Sequence, residues 1–151
     1  MVKILALDPS STHVGWAIFD YRGDPYDSGV IKPCGKPDER IRKIVEWADE
    51  LLRHGTYSLV VIEEPAANNA HRNPKTDRLL ARVGGAIEAV AILHGAEVAR
   101  VWPSQVKATG VSKDHLEAAA ALTGRKVGPD EADAIGVGLA YLSQVAKEKQ
   151  E

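Results

Sequence analysis

Cysteine and aromatic residues are scarce in this sequence. Cys34 is its one cysteine, so the chain can form neither an internal disulfide nor a cysteine-based zinc site, and we assign this thiol no role. Aromatic residues make up 5% of the chain, and three of them are tryptophans. We interpret Trp16, Trp47 and Trp102 as core or partly buried side chains, with base stacking as the alternative.

Long apolar runs and a signal-peptide pattern are also absent. No stretch approaches the roughly 18 consecutive apolar residues of a membrane-spanning helix, and residues 1–4 lead directly into a strand pattern. We therefore expect a protein with no membrane partner and a cytoplasmic location. If the chain is encoded by a phage, that location is the host cytoplasm.

An overall excess of positive charge is missing as well. The net charge of −2 does not by itself indicate a nucleic-acid-binding protein. The charge is unevenly distributed, because residues 64–113 carry seven Lys or Arg and four Asp or Glu, while the flanking parts are acidic. Clustered basic residues matter more for phosphate binding than the total does, although a difference of this size also arises by chance.

The chain contains a regular succession of strand and helix patterns. Three strands at residues 2–8, 14–18 and 26–31 form an antiparallel meander, and two more are expected at 59–62 and 97–101. Helices are expected at 38–54 with Asp38 as N-cap, at 76–94 capped by Thr76 or Asp77, from 102, after the cap Ser112, and from Gly128-Pro129. This order predicts one α/β domain over residues 1–151, with a mixed five-stranded sheet and helices on both faces.

Acidic residues stand at the ends of these elements. Asp8 ends the first strand, and Glu63 ends the fourth with Glu64 beside it. Asp130 and Asp133 lie three residues apart in the first turn of the last helix, and therefore on one face. If strands one and four are neighbours, Asp8 and Glu63 emerge side by side, and the helix would add its two carboxylates.

Four carboxylates in a small volume repel each other unless divalent cations are bound. Mg²⁺ and Mn²⁺ prefer oxygen ligands, and two such ions about 4 Å apart form the usual arrangement for phosphodiester hydrolysis. Each cluster also has a structural explanation. Asp130 and Asp133 could complement a helix dipole, Glu63 and Glu64 could be a solvated strand end, and Asp8 could initiate a turn.

Four segments, in order, resemble the motifs of RuvC Holliday-junction resolvases, which have the RNase H-like fold of the retroviral integrase superfamily. Residues 5–16, LALDPSSTHVGW, resemble the opening motif, and residues 60–64, VVIEE, resemble a strand that ends in a catalytic Glu. Residues 102–113 resemble the segment that carries lysines, and residues 129–137, PDEADAIGV, resemble the closing Asp-x-x-Asp-Ala helix. Actin-like ATPases open similarly but need a second domain, which a chain of 151 residues is not expected to hold.

This resemblance implies a site and an activity. Its catalytic and metal-binding carboxylates would be Asp8, Glu63, Asp130 and Asp133, holding two Mg²⁺ or Mn²⁺ ions with Asp8 bridging both. Lys107 and Lys113 would contact phosphates or stabilise developing charge, the alternative being solvated surface lysines. The implied enzyme cuts four-way (Holliday) and other branched DNA by paired nicks, leaving a 5′-phosphate and a 3′-hydroxyl.

The resemblance also implies a homodimer, because a four-way junction is two-fold symmetric. The helix at 76–94, with Gly84-Gly85, is the candidate interface, and packing within the chain is the alternative. The sequence departs from the family in having Ser10 for the usual Gly, and a loop at 65–75 without an aromatic wedge. That loop offers His71, Arg72 and Lys75 for DNA phosphates instead.

These departures, with the short chain, suggest a divergent, phage-type member. They leave two other functions open. One is a less selective nuclease for flaps, forks or RNA–DNA hybrids, and the other is a non-catalytic RNase H-like module that binds nucleic acid. A role for Glu64 and one for His13, which is close to Asp8 in sequence, also stay open.

Overall fold

The sheet of this protein has five strands in the order β3-β2-β1-β4-β5. The computed structural model describes residues 3–10, 12–65 and 73–151. The strands are β1 (Lys3–Pro9), β2 (Val14–Phe19), β3 (Pro25–Ile31), β4 (Tyr57–Glu63) and β5 (Glu97–Val101). The helices are α1 (Pro37–Arg53), α2 (Pro74–Leu93), α3 (Pro103–Ala108), α4 (Leu116–Thr123) and α5 (Pro129–Glu148).

The sheet is mixed, as the sequence predicts. Strands β1, β2 and β3 form an antiparallel meander, while β4 runs parallel to β1 and β5 runs parallel to β4. In the parallel pairs, Leu7 lies opposite Ile62 and Glu63 lies opposite Val101. The expected adjacency of the first and fourth strands is therefore confirmed, and both strands end at the same edge of the sheet.

Helices cover both faces of the sheet, because residues of the central strands alternate between two apolar layers. Ala6 and Val61 face one layer, which α5 fills with residues such as Ile135. Leu5, Leu7, Val60 and Ile62 face the other layer, where α1 and α2 contribute side chains such as Ile44 and Ile87. Central strands that are covered on both sides explain why β1 and β4 are almost continuously apolar.

Two glycines let α5 approach the sheet closely. A Cβ atom at Gly15 of β2 would lie 2.2 Å from the backbone oxygen of Asp130, and one at Gly138 would lie 2.1 Å from the Phe19 ring. Neither distance leaves room for a side chain. The first turn of α5 therefore rests directly on the strand next to β1.

Three of the predicted helix starts are wrong, and proline explains two of them. Helix α1 begins at Pro37 after Lys36, so Asp38 is not its N-cap. Helix α2 begins at Pro74, and the Asn73 side chain accepts a hydrogen bond from the Thr76 amide at 2.9 Å, so neither Thr76 nor Asp77 is its cap. Proline is preorganised for the first helical position, where its missing N–H costs nothing.

The third wrong start is the cap at Ser112. Helix α4 begins at Leu116, four residues later, and its N-cap is His115. The carbonyl of Ser112 instead accepts a hydrogen bond from the His115 amide at 2.9 Å, which closes a turn before the helix. In the described parts of the chain, helices are too short or too polar to cross a lipid bilayer.

Candidate active site

The ends of β1 and β4 bring two carboxylates together. Because Leu7 lies opposite Ile62, the residues that follow them, Asp8 and Glu63, emerge side by side from adjacent parallel strands. Their side chains point to the α5 face, since Ala6 and Val61, two residues earlier, pack in the α5 layer. The two side chains are within hydrogen-bonding reach of each other.

Helix α5 adds a third carboxylate to this pair and a fourth close by. Asp133 is within hydrogen-bonding reach of Asp8. Gly15, which pairs with Asp8 across the sheet, lies against the backbone of Asp130 and so sets the depth at which the helix begins. The four predicted carboxylates therefore lie at one sheet edge. We define the acidic centre as Asp8, Glu63 and Asp133, because the Asp8 side chain is within hydrogen-bonding reach of the other two.

Burial dominates the electrostatics of the acidic centre, and the neighbouring carboxylates add to its effect on Asp8. Burial, then the hydrogen bond and negative charge of Glu63 and the charge of Asp133, raise the pKa of Asp8 to about 10. Burial also raises the pKa of Asp133, although a hydrogen bond of 2.7 Å from the Lys113 amide and the Lys113 charge act to lower it. Negative charge at this point is thus costly until a cation compensates it.

The acidic centre fits a divalent cation by its chemistry. It offers carboxylate oxygens, which hard cations such as Mg²⁺ prefer, and it has an excess of negative charge. As the side chains stand, no group of three or more His, Cys, Asp or Glu within residues 3–10, 12–65 and 73–151 is arranged to hold a metal ion. Binding would therefore require these carboxylates to turn toward a common point, and their role as ligands stays a prediction.

Asp130 differs from the other three carboxylates because its side chain pairs with a histidine. His13 Nε2 lies 2.8 Å from Asp130 Oδ1, and both side chains are about one quarter exposed, at 27% and 28%. A tight turn holds His13 in place, since the Ser10 hydroxyl donates to the His13 carbonyl and accepts from the His13 amide, each at 3.0 Å. Ser10, at the position where the family usually has Gly, thus supports the contact between His13 and Asp130.

Of the five basic residues predicted to contact DNA, the structure describes Lys75, Lys107 and Lys113. Lys113 is exposed, and its backbone amide rather than its side chain donates to Asp133. Lys107 on α3 and Lys75 in the first turn of α2 are exposed, and neither forms an ion pair with another described residue. His71 and Arg72 lie outside the described residues. The contacts of all five with DNA stay predictions.

A cleft of about 510 Å³ opens beside the acidic centre. Asp8 and Glu63 line it on one side, and Glu64, Glu88 and Arg100 line it on another. Arg100 forms ion pairs with both Glu64 and Glu88 there. The sequence analysis did not identify Arg100 or Glu88 as part of a site. The one local indication was the occurrence of an arginine inside the short strand β5.

The fold and the acidic centre together define a class of protein. RNase H-like nucleases share three features that are present here. The strand order is β3-β2-β1-β4-β5, carboxylates stand at the ends of the two central parallel strands, and another carboxylate lies on the helix that covers them. This class matches the expectation drawn from the motifs.

Comparisons with known proteins agree with this class. The family model described as crossover junction endodeoxyribonuclease RuvC matches residues 4–140. A RuvC of Campylobacter lari is 29% identical over 163 residues, covering 98% of this chain and all of the relative. A RuvC of Campylobacter jejuni is 30% identical and covers 95% of this chain and 98% of its own. The chain therefore belongs to the RuvC family, a family of metal-dependent nucleases.

A solved structure supports the fold independently. The RuvC of Thermus thermophilus in complex with a Holliday junction substrate superimposes with a TM-score of 0.81 at 21% identity, over 97% of this chain and 96% of the other. At that identity the match bears on the fold. The RNase H-like architecture expected from the sequence is thus confirmed.

Proposed function

We propose that this chain is a structure-selective endonuclease that resolves four-way DNA junctions by paired nicks. The observation that carries the proposal is the meeting of Asp8, Glu63 and Asp133 at one sheet edge in a chain that matches the RuvC family over residues 4–140. The relatives are named as crossover junction endodeoxyribonucleases, and the Thermus relative was solved with a Holliday junction.

The proposed site uses two Mg²⁺ or Mn²⁺ ions held by Asp8, Glu63, Asp130 and Asp133. When bound, such ions supply activation of the attacking water and stabilisation of the leaving 3′-oxygen, so that cleavage leaves a 5′-phosphate and a 3′-hydroxyl. The chain's own residues orient this chemistry. Asp8 and Glu63 stand on rigid central strands, and the Lys113 amide orients the Asp133 carboxylate at 2.7 Å.

His13 has a positioning part in this site. Its imidazole, held by the Ser10 turn, contacts Asp130 and orients that carboxylate beside Asp133. Lys107 and Lys113 are proposed to act on phosphate groups, with Lys75, Arg72 and His71 contacting the DNA backbone further along. Such contacts are electrostatic, so binding should weaken steeply as salt rises.

We also propose that the active form is a homodimer. Two symmetric nicks in a two-fold symmetric junction need two sites. Gly85 on α2 is exposed and has open space where a Cβ would lie, so this helix can accept a close neighbour there. Light scattering coupled to size-exclusion chromatography tests the dimer, and a monomer that still nicks both strands in concert would contradict it.

The proposed enzyme is one RNase H-like domain over residues 1–151. It would act where recombining or replicating DNA is found, in the cytoplasm of a bacterial cell or of a phage host.

The activity is tested with labelled four-way junctions, flaps, forks, linear duplex and RNA–DNA hybrid, each with Mg²⁺, with Mn²⁺ and with EDTA. Paired symmetric nicks restricted to the junction, and lost in EDTA, are the expected result. Equal cutting of flaps, forks or hybrids would replace junction resolution by a less selective nuclease. Binding without cutting in either metal would replace it by a non-catalytic nucleic-acid-binding module.

A further inference from the structure

The guanidinium of Arg100 joins two carboxylates from different elements. Its Nη1 lies 3.0 Å from Glu64 Oε1, just after β4, and its Nη2 lies 2.6 Å from Glu88 Oε2 on α2. The three side chains are 29%, 32% and 40% exposed, respectively. We call Arg100, Glu64 and Glu88 the arginine bridge. None of its members belongs to the acidic centre.

The arginine bridge lies on the opposite side of the sheet from the acidic centre. Arg100 pairs with Ile62 across β5 and β4, and Ile62 packs in the layer formed with α1 and α2. The Glu64 amide continues the pairing by donating to the Val101 carbonyl at 2.8 Å. Alternation along this extended backbone turns the Glu64 side chain toward Arg100 and away from its neighbour Glu63.

Gly84 on α2 lies beside Arg100. A Cβ at Gly84 would lie 3.5 Å from Arg100 Nη1, which is ordinary contact. A Cβ at the neighbouring Gly85 would have no heavy atom within 4 Å. The two positions therefore differ, because position 84 faces Arg100 within the chain and position 85 faces open space.

The cleft beside the acidic centre is rich in negative charge. Asp8, Glu63, Glu64 and Glu88 line it, and Arg100 is the one cation among its described lining residues. A DNA strand entering this cleft would bring further negative charge. Divalent ions at the acidic centre would offset Asp8 and Glu63, but they leave the other wall of the cleft without a counter-charge unless Arg100 provides one.

We propose that Arg100 is a positioning residue for substrate entry, which holds Glu64 and Glu88 as compensated pairs so that this wall of the cleft accepts the DNA phosphodiester backbone. The proposal rests on the nuclease function proposed above. It assigns Arg100 no contact with the reacting atoms. The effect is electrostatic, so it follows the charge of Glu64 and Glu88 rather than the bulk of Arg100.

The test measures binding of a fluorescent four-way junction by anisotropy, in EDTA and across a series of salt concentrations. Arg100→Gln should weaken binding about 10-fold at low salt, and the loss should shrink as salt screens the freed carboxylates. Arg100→Gln combined with Glu64→Gln should recover most of that loss. Glu64→Gln alone should bind more tightly than the wild type, because it removes a negative charge from this wall of the cleft.

Arg53→Gln is the matched control. Arg53 also forms ion pairs with two carboxylates, Asp49 and Glu50, but it stands at the end of α1 that leads into the start of β4, at the opposite edge of the sheet. The net-charge change is the same as in Arg100→Gln. Binding by this variant should stay within about 2-fold of the wild type at every salt concentration.

Three results would overturn the proposal. Binding by Arg100→Gln equal to that of Arg53→Gln would show that the arginine bridge does not affect DNA entry. Failure of Glu64→Gln to restore binding in the Arg100→Gln background would show that Arg100 acts through a contact of its own. If Arg100→Gln fails to fold by circular dichroism, Glu64→Gln alone decides, since unchanged binding by that variant also contradicts the proposal. A wild type that binds no junction would instead refute the proposed function.

Discussion

Besides Asp130, the start of α5 holds two carboxylates with opposite environments, Glu131 and Asp133. Burial raises the pKa of Asp133, and the nearby negative charge of Asp130 acts in the same direction. Burial acts in the same direction on Glu131, two residues earlier, but hydrogen bonds from Ser28, Arg125 and the Gly128 amide outweigh it and lower the pKa of that carboxyl. One turn of helix therefore carries both a poorly compensated carboxylate and a well compensated one.

The contacts of Glu131 show what compensation requires. Its Oε2 accepts from the buried Ser28 hydroxyl at 2.8 Å and pairs with Arg125 Nη1 at 3.1 Å, while its Oε1 accepts from the Gly128 amide at 3.4 Å. These bonds tie α5 to β3 and close the helix start. A carboxylate with such partners stabilises the fold, whereas burial makes the ionised forms of Asp8 and Asp133 costly, and a bound cation would offset that cost.

Asp8→Asn, which changes the poorly compensated group of carboxylates, should have the largest effect on activity. We expect junction cutting to fall about 1,000-fold or more, because a neutral amide would be a much poorer ligand than a carboxylate for the proposed divalent cations. Junction binding should be largely kept. Single-turnover cleavage and anisotropy measure the two. The matched control is Glu131→Gln, which should cut within about 10-fold of the wild type, and normal cutting by Asp8→Asn would show that the site assignment is wrong.

The same substitution should stabilise the protein in EDTA at neutral pH. The pKa of Asp8 is raised in the folded state, so the folded protein binds this proton more tightly than the unfolded chain does. The protonated carboxyl therefore favours folding below its ordinary pKa of 3.8, and that contribution is lost as the pH rises toward the raised pKa. Asp8→Asn removes this penalty and should raise the Tm by about 2–6 °C at pH 7.

The difference in Tm between Asp8→Asn and the wild type should disappear near pH 4. Adding Mn²⁺ should raise the Tm of the wild type more than that of the variant. Differential scanning fluorimetry across pH gives both comparisons. A variant that is less stable than the wild type in EDTA would contradict the account of repulsion in the acidic centre.

Glu131→Gln should have the smallest effect on stability, and it should lower the Tm rather than raise it. Its loss should destabilise the fold by about 1 kcal/mol, or roughly 2–4 °C in Tm, because Arg125 is partly exposed and water screens that ion pair. The lowered pKa of Glu131 means that this contribution is present above its ordinary pKa of 4.5 and is lost as pH falls below it. A Tm difference that persists at pH 3 would show that shape rather than charge matters.

The sequence predicted the carboxylates at the strand ends better than it predicted the helix starts. Asp8 and Glu63 each follow an apolar run, so their placement at strand ends depends on local patterns that the parallel pairing of β1 and β4 then aligns. The helix starts predicted at Asp38 and Thr76 are wrong, because Pro37 and Pro74 occupy the first helical positions. Proline indicates a helix start more strongly there than the polar residues beside it.

Contacts between distant residues had no comparable signal. His13 and Asp130 are 117 residues apart and meet because Gly15 lets α5 settle on β2. The ion pairs of Arg100 with Glu64 and Glu88 depend on the register of β5 against β4 and on the position of α2. No periodicity within either segment predicts such pairs.

The sequence by itself determined the order of the elements and the carboxylates at their ends, because apolar periodicity and strand or helix boundaries are local properties of the chain. Tertiary structure alone decided which carboxylates are compensated. Asp130 contacts His13, Glu131 binds Ser28 and Arg125, and Glu64 binds Arg100, while Asp8, Glu63 and Asp133 crowd together. Charge compensation acts over a few ångströms in space, and the packing of sheet and helices sets those distances.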